Sequence, residues 1–96
     1  MEGGEVGIYW RGTGLLENGR AKIEFPEHFK LALSKEAPIV AMVTPTSRCQ
    51  MYVKEKTHSY IIVESFNGCS GSFDFLIMGV RKDYENYKPI RLKKNQ

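Results

Sequence analysis

The sequence predicts a small, mainly β domain: an antiparallel β-barrel or β-sandwich of about six strands, with one short helix at residues 26–33. Three observations carry this. Short runs rich in Val, Ile, Tyr and Phe recur at intervals of about eight to twelve residues. Within several of them, apolar and polar side chains alternate with a period of two, as in a strand with one buried face. Asn-Gly, Pro and Gly-rich punctuation separates the runs. The chain has 96 residues, 42% of them hydrophobic and 11% aromatic. That suits a single domain over residues 1–96 with one small core.

Along the chain, residues 1–5 read as a loose end. Val6–Arg11 reads as a short extended segment among Gly3, Gly4, Gly7, Gly12 and Gly14. Leu15-Leu16-Glu17, Asn18-Gly19 and Arg20–Phe25 then spell a β-hairpin, because Asn-Gly accepts the positive φ of a two-residue turn. Ala21, Ile23 and Phe25 alternate there with Arg20, Lys22 and Glu24. Pro26 cannot extend the ladder but suits the start of a helix. Phe29, Ala32 and Leu33 would form that helix's packed stripe.

Ile39–Thr44 is an almost unbroken apolar run ended by Pro45, and it reads as a largely buried strand. Gln50–Glu55 and Tyr60–Ser65 are two more strands, joined by a turn at 56–59. Ser72–Arg81 is the longest, with Gly79 as a candidate bulge. Residues 89–96 read as a second loose end.

The net charge is +3. Residues 81–96 alone carry +4, which leaves the first 80 residues at −1. Such a basic end serves solubility first. The balance of the rest argues against an extended positive groove for nucleic acid, although exposed rings on a small barrel are a known base-stacking device. No run of 18 apolar residues is present, so no membrane helix is expected. The N-terminus carries acids where a signal peptide carries bases. The expected location is therefore the cytoplasm as synthesised, or a phage-like particle assembled there. Cys49 and Cys69, 20 positions apart, read as free thiols in that setting. A bridge between them would instead need an oxidising compartment.

Catalysis needs a nucleophile, a base and an oxyanion donor in one cleft. Gly68-Cys69-Ser70-Gly71 resembles a nucleophile elbow only loosely, and no helix follows it. His28 and His58 stand apart on a helical turn and a hairpin turn. Asp74 sits between Phe73 and Phe75, so alternation points it away from their rings. Gly12-Thr13-Gly14 lacks the Lys-Ser/Thr of a phosphate loop. The chain reads as a non-enzyme without a metal or cofactor. Its binding candidates are the rings of Trp10 with Tyr9 and of Tyr52 with Tyr60, which could stack on a sugar. Arg48 and His58, with Lys56, Asn67 and Ser70, could present from loops.

The order of landmarks resembles a β-domain found near the C-terminal end of phage tail-fibre-like and large bacterial surface proteins. The landmarks are Gly12-Thr13-Gly14, Asn18-Gly19-Arg20-Ala21, Phe25-Pro26-Glu27-His28-Phe29, Thr44-Pro45, Met51-Tyr52-Val53, Ser72-Phe73-Asp74-Phe75 and Arg81-Lys82-Asp83-Tyr84-Glu85. Two departures stand out. Thr46-Ser47-Arg48-Cys49 replaces a Gly-rich tip, and Asp83 replaces a glycine. The resemblance implies a structural or attachment module that self-associates, as a trimer by preference. A carbohydrate-binding module is the alternative, and a small nucleic-acid-binding barrel comes third.

Overall fold

In a computed structural model, which describes residues 7–82, six strands form two antiparallel three-stranded sheets with one short helix. Sheet A has the order β1 (Gly7–Leu16), β6 (Gly71–Val80), β3 (Val40–Pro45). Sheet B has the order β2 (Arg20–Glu24), β5 (Tyr60–Ser65), β4 (Met51–Lys56). The sheets are not closed into a barrel, so the predicted choice of barrel or sandwich resolves to two separate sheets. The loose ends expected at 1–5 and 89–96, and most of the basic end, lie outside the described residues.

One core cluster gathers Leu16, Phe25, Phe29, Leu33, Ile39, Cys49, Ile61, Val63, Phe73, Phe75 and Ile77. Both sheets contribute through alternate positions, as the period of two requires. Helix α1 (Glu27–Ala32) buries Phe29 at one end of this core. Its first turn hangs on the Pro26 carbonyl, which accepts from the amides of Phe29 and Lys30 at 3.1 and 3.0 Å. The segment after it is latched to the end of β6. Ser34 N–H donates to the Val80 carbonyl at 2.8 Å, and Lys82 N–H to that of Ala32 at 2.7 Å.

Four readings of the strands need correction. The predicted hairpin is closed only at its turn. Asn18 and Gly19 adopt φ of 56° and 83°, and Glu17 and Arg20 exchange backbone bonds at 3.0 and 3.2 Å. Beyond that pair the strands part, β1 to β6 and β2 to β5. Residues 7–11 of the expected segment Val6–Arg11 and the pair Leu15-Leu16 belong to one ten-residue strand, and Val6 lies outside the described residues. Its glycines do not interrupt it. Gly12 and Gly14 lie opposite Phe75 and Phe73, and a Cβ on either would run into the facing ring. Gly79 marks no bulge, since the β1–β6 register is continuous through it. It leaves room for Leu33, whose Cδ1 a Cβ there would overlap. The one bulge among the named ladders falls at Lys54 in β4.

Finally, Ile39–Thr44 is not buried on both sides. Ala41 and Val43 face inward, while Val40 and Met42 are each 50% exposed.

Three crossings between the sheets gather at the end opposite the helix: the 17–20 turn, residues 46–50 and residues 66–70. Cys49 and Cys69 join the last two in a disulfide with Cα atoms 5.7 Å apart. The free-thiol reading is thereby replaced by the bridged one. At the same end, the Ser65 amide donates to the Gly19 carbonyl at 2.9 Å, and the Asn18 amide to Ser70 Oγ at 3.0 Å. Gly19→Ala is expected to destabilise the fold by about 2 kcal/mol, because a side chain is strained at positive φ. Its Cβ would also lie 2.6 Å from Gly68 Cα. Urea unfolding of the variant measures this. An unchanged midpoint would show that the turn relaxes freely.

Candidate functional site

The outer faces of the two sheets differ in kind. On sheet B, the charged positions of β2 and β4 flank Glu64 and Tyr60 of β5. Arg20 and Lys54 both reach Glu64, at 3.7 and 3.3 Å, and Lys22 reaches Glu24 at 3.4 Å. Tyr52 donates its hydroxyl to Glu64 at 3.2 Å and stacks on Phe66 at 5.1 Å between ring centroids. Tyr60 donates to Glu55 at 2.9 Å, and Lys22 sits 4.5 Å above its ring. That hydrogen bond, with the nearby Glu55 and Glu24 charges, raises the Tyr60 phenol above its ordinary value of 10.0. These surface pairs add little stability individually. Together they pair Arg20, Lys22 and Lys54 with carboxylates of opposite sign, while Glu55 accepts the Tyr60 hydroxyl.

Sheet A presents a different surface. The strand register lines up Tyr9, Met78 and Val40 in one row across the sheet, and Arg11, Leu76 and Met42 in the next. The third row is polar: Thr13, Asp74 and Thr44, with Thr13 Oγ1 donating to Asp74 at 3.0 Å. Tyr9 is 65% exposed, and Met78 keeps 43% of its surface in water. A shallow groove of about 610 Å³ runs along Tyr9, Arg11, Leu76 and Met78. A second, of about 420 Å³, lies on the other side of Met78 beside Val40 and Pro38. Apolar patches of this kind on an otherwise wet surface mark interaction sites.

The residues singled out from the sequence scatter over this frame. Trp10 is half-buried on the inner face of β1, with its ring centroid 4.9 Å from that of Phe75 and 5.9 Å from that of Phe25. Tyr9 points to the opposite face, so the two share no platform. Tyr52 and Tyr60 share the outer face of sheet B, but Tyr52's stacking partner is Phe66, which the sequence reading passed over. Arg48 is exposed beside the disulfide, as are Asn67 and Ser70. Lys56 and His58 belong to the helix end. His58 is half-buried, and its Nε2–H donates to the Ala37 carbonyl at 2.8 Å, fastening the β4–β5 turn to the segment before β3.

The residues that the sequence missed are Val40, Met42, Leu76 and Met78. Among the described residues, no three His, Cys, Asp or Glu side chains gather as a metal site, and no helix is long and apolar enough to cross a membrane. No family model, curated protein or solved structure matches this chain.

Proposed function

We propose that this chain is a non-enzymatic structural domain that self-associates, serving as a module of a tail-fibre-like or surface assembly. One observation supports the reading above the others. Two adjacent rows of sheet A hold four exposed apolar side chains, Tyr9, Val40, Met42 and Met78, around a half-buried Leu76, while the outer face of sheet B is laced with ion pairs. An exposed apolar face of that size gains free energy when another protein surface covers it. A core built from fewer than 100 residues gains stability from such a partner.

The disulfide favours a working place outside the reducing cytoplasm, in a particle or at a surface, because bridges persist in oxidising surroundings. Sedimentation equilibrium of the full chain across the micromolar range tests the proposal. A mass that rises with concentration above 11.0 kDa supports it. A single 11.0 kDa species throughout would reject it.

A further inference from the structure

We propose that Asn67 is a site of spontaneous self-modification. The Gly68 backbone nitrogen displaces the Asn67 side-chain amide, and water then opens the ring to leave isoaspartate or aspartate. The proposal is independent of self-association.

Asparagine is among the thermally labile residues, and a following glycine leaves the attacking nitrogen open because it carries no Cβ. Two Asn-Gly pairs stand in the chain, Asn18-Gly19 and Asn67-Gly68. Local sequence treats them alike, and the structure separates them.

Asn18 is locked. Its turn has positive φ at both residues, 56° and 83°, and the Glu17–Arg20 backbone bonds of 3.0 and 3.2 Å close it. The Asn18 amide donates to Ser70 Oγ at 3.0 Å, and the Gly19 carbonyl accepts from the Ser65 amide at 2.9 Å. Gly19 is itself buried. To close a five-membered ring, Cβ and the next nitrogen must come nearly eclipsed about the Cα–C bond. A two-residue hairpin turn with positive φ at both positions holds them nearly opposite instead. The turn must therefore open before Asn18 can react.

Asn67 is placed for the reaction. Asn67 and Gly68 are both exposed. The Gly68 amide has no acceptor among the described residues, and nothing lies within 4 Å of a Cβ built on Gly68. The peptide between the two residues can therefore turn without steric hindrance. Asn67 Oδ1 accepts the Cys69 amide at 3.3 Å. That bond closes a ring containing both Cγ and the Gly68 nitrogen, so the side chain is folded back beside its attacker. The same N–H faces the oxygen on which negative charge gathers as the nitrogen adds. The bridge to Cys49 anchors the residue that donates it.

In the first step hydroxide takes the Gly68 amide proton, and the nitrogen's electron pair forms a bond to Cγ. The Cγ–Nδ2 bond breaks, and ammonia leaves with a proton from water, which restores the hydroxide. A water molecule then adds to either carbonyl of the cyclic imide. Opening at the main-chain carbonyl leaves isoaspartate, with an extra carbon in the main chain. Opening at Cγ leaves aspartate. Either product puts a carboxylate into the 66–70 crossing between the sheets.

The test is incubation of the full, disulfide-bonded chain in warm, mildly alkaline buffer below its melting transition, followed by tryptic mapping with mass spectrometry. Cleavage after lysine and arginine places Asn18 in residues 12–20 and Asn67 in residues 57–81, so each conversion is read separately. In the folded chain Asn67 is expected to convert at least about tenfold faster than Asn18, a modest effect for a difference in positioning. In urea with a reductant the two rates should nearly converge. Asn67→Gln, which would have to close a larger ring, should keep the melting temperature and remove the fast phase of ammonia release. Earlier conversion at Asn18, a folded-state ratio no larger than the unfolded one, no conversion at Asn67, or a fast phase that survives Asn67→Gln would overturn the proposal.

Discussion

Phe73→Ala is expected to cost about 4 kcal/mol, the upper range for removing a fully buried ring. Phe73 is 0% exposed, on the central strand of sheet A, with Phe75 at 6.4 Å between centroids. Its ring lies over Gly14 of β1, where an added Cβ would come within 2.9 Å of both Cε atoms. A domain of this size has about 5–15 kcal/mol to lose, so its melting temperature should fall by about 20 °C. The pairing with glycine makes the prediction sharper. Gly14→Ala alone should cost about 2 kcal/mol through overpacking. In the Phe73→Ala background the obstructing ring is gone, and the same substitution should cost almost nothing. Urea unfolding of the two single variants and the double variant measures that coupling, expected to exceed about 1 kcal/mol. Additive losses would mean that the glycine is there for another reason.

That ring-on-glycine packing explains which parts of the fold were legible. Strands with alternating polarity, such as Arg20–Glu24, declare their inner face directly, and the Asn18-Gly19 turn declares its geometry. β1 hides because its inner positions include Gly12 and Gly14, whose facing volume is supplied by β6. Local pattern cannot show that a gap on one strand is filled from another. Likewise, β3 reads as an unbroken apolar run because its outer residues, Val40 and Met42, are as oily as its inner ones, Ala41 and Val43. From the sequence, continuous hydrophobicity predicts burial on both sides. In this fold it means a core on one side and an uncovered face on the other. The candidate site was therefore missed for the same reason that it exists: an interaction surface looks like core in one dimension. The splitting of the hairpin into two sheets was equally out of reach, since a tight turn specifies its own few residues and not the partners of the strands beyond it.

Breaking the Cys49–Cys69 bridge, by Cys49→Ser with Cys69→Ser or by a reductant, should cost about 3 kcal/mol, the chain entropy released by opening a loop of this length. The cysteines are 20 positions apart, and the resulting fall in melting temperature should be about 15 °C. The bridge holds residues 46–50 against 66–70, where both segments cross between the sheets. Its loss should loosen that end first. Backbone hydrogen exchange should rise around the Thr46–Ser72 and Ser65–Gly19 bonds and change least at Lys82–Ala32 and Ser34–Val80, which sit at the helix end. The rows of Tyr9 and Arg11 lie toward that helix end of sheet A. Below the lowered melting temperature, the reduced chain should therefore still associate as the oxidised one does. Equal melting with and without reductant, or two titratable thiols in the native chain, would show that the bridge does not form. Loss of association on reduction at a temperature where the fold persists would instead place the contact at the crossing loops, where Arg48 and Asn67 are exposed, and away from the face of sheet A.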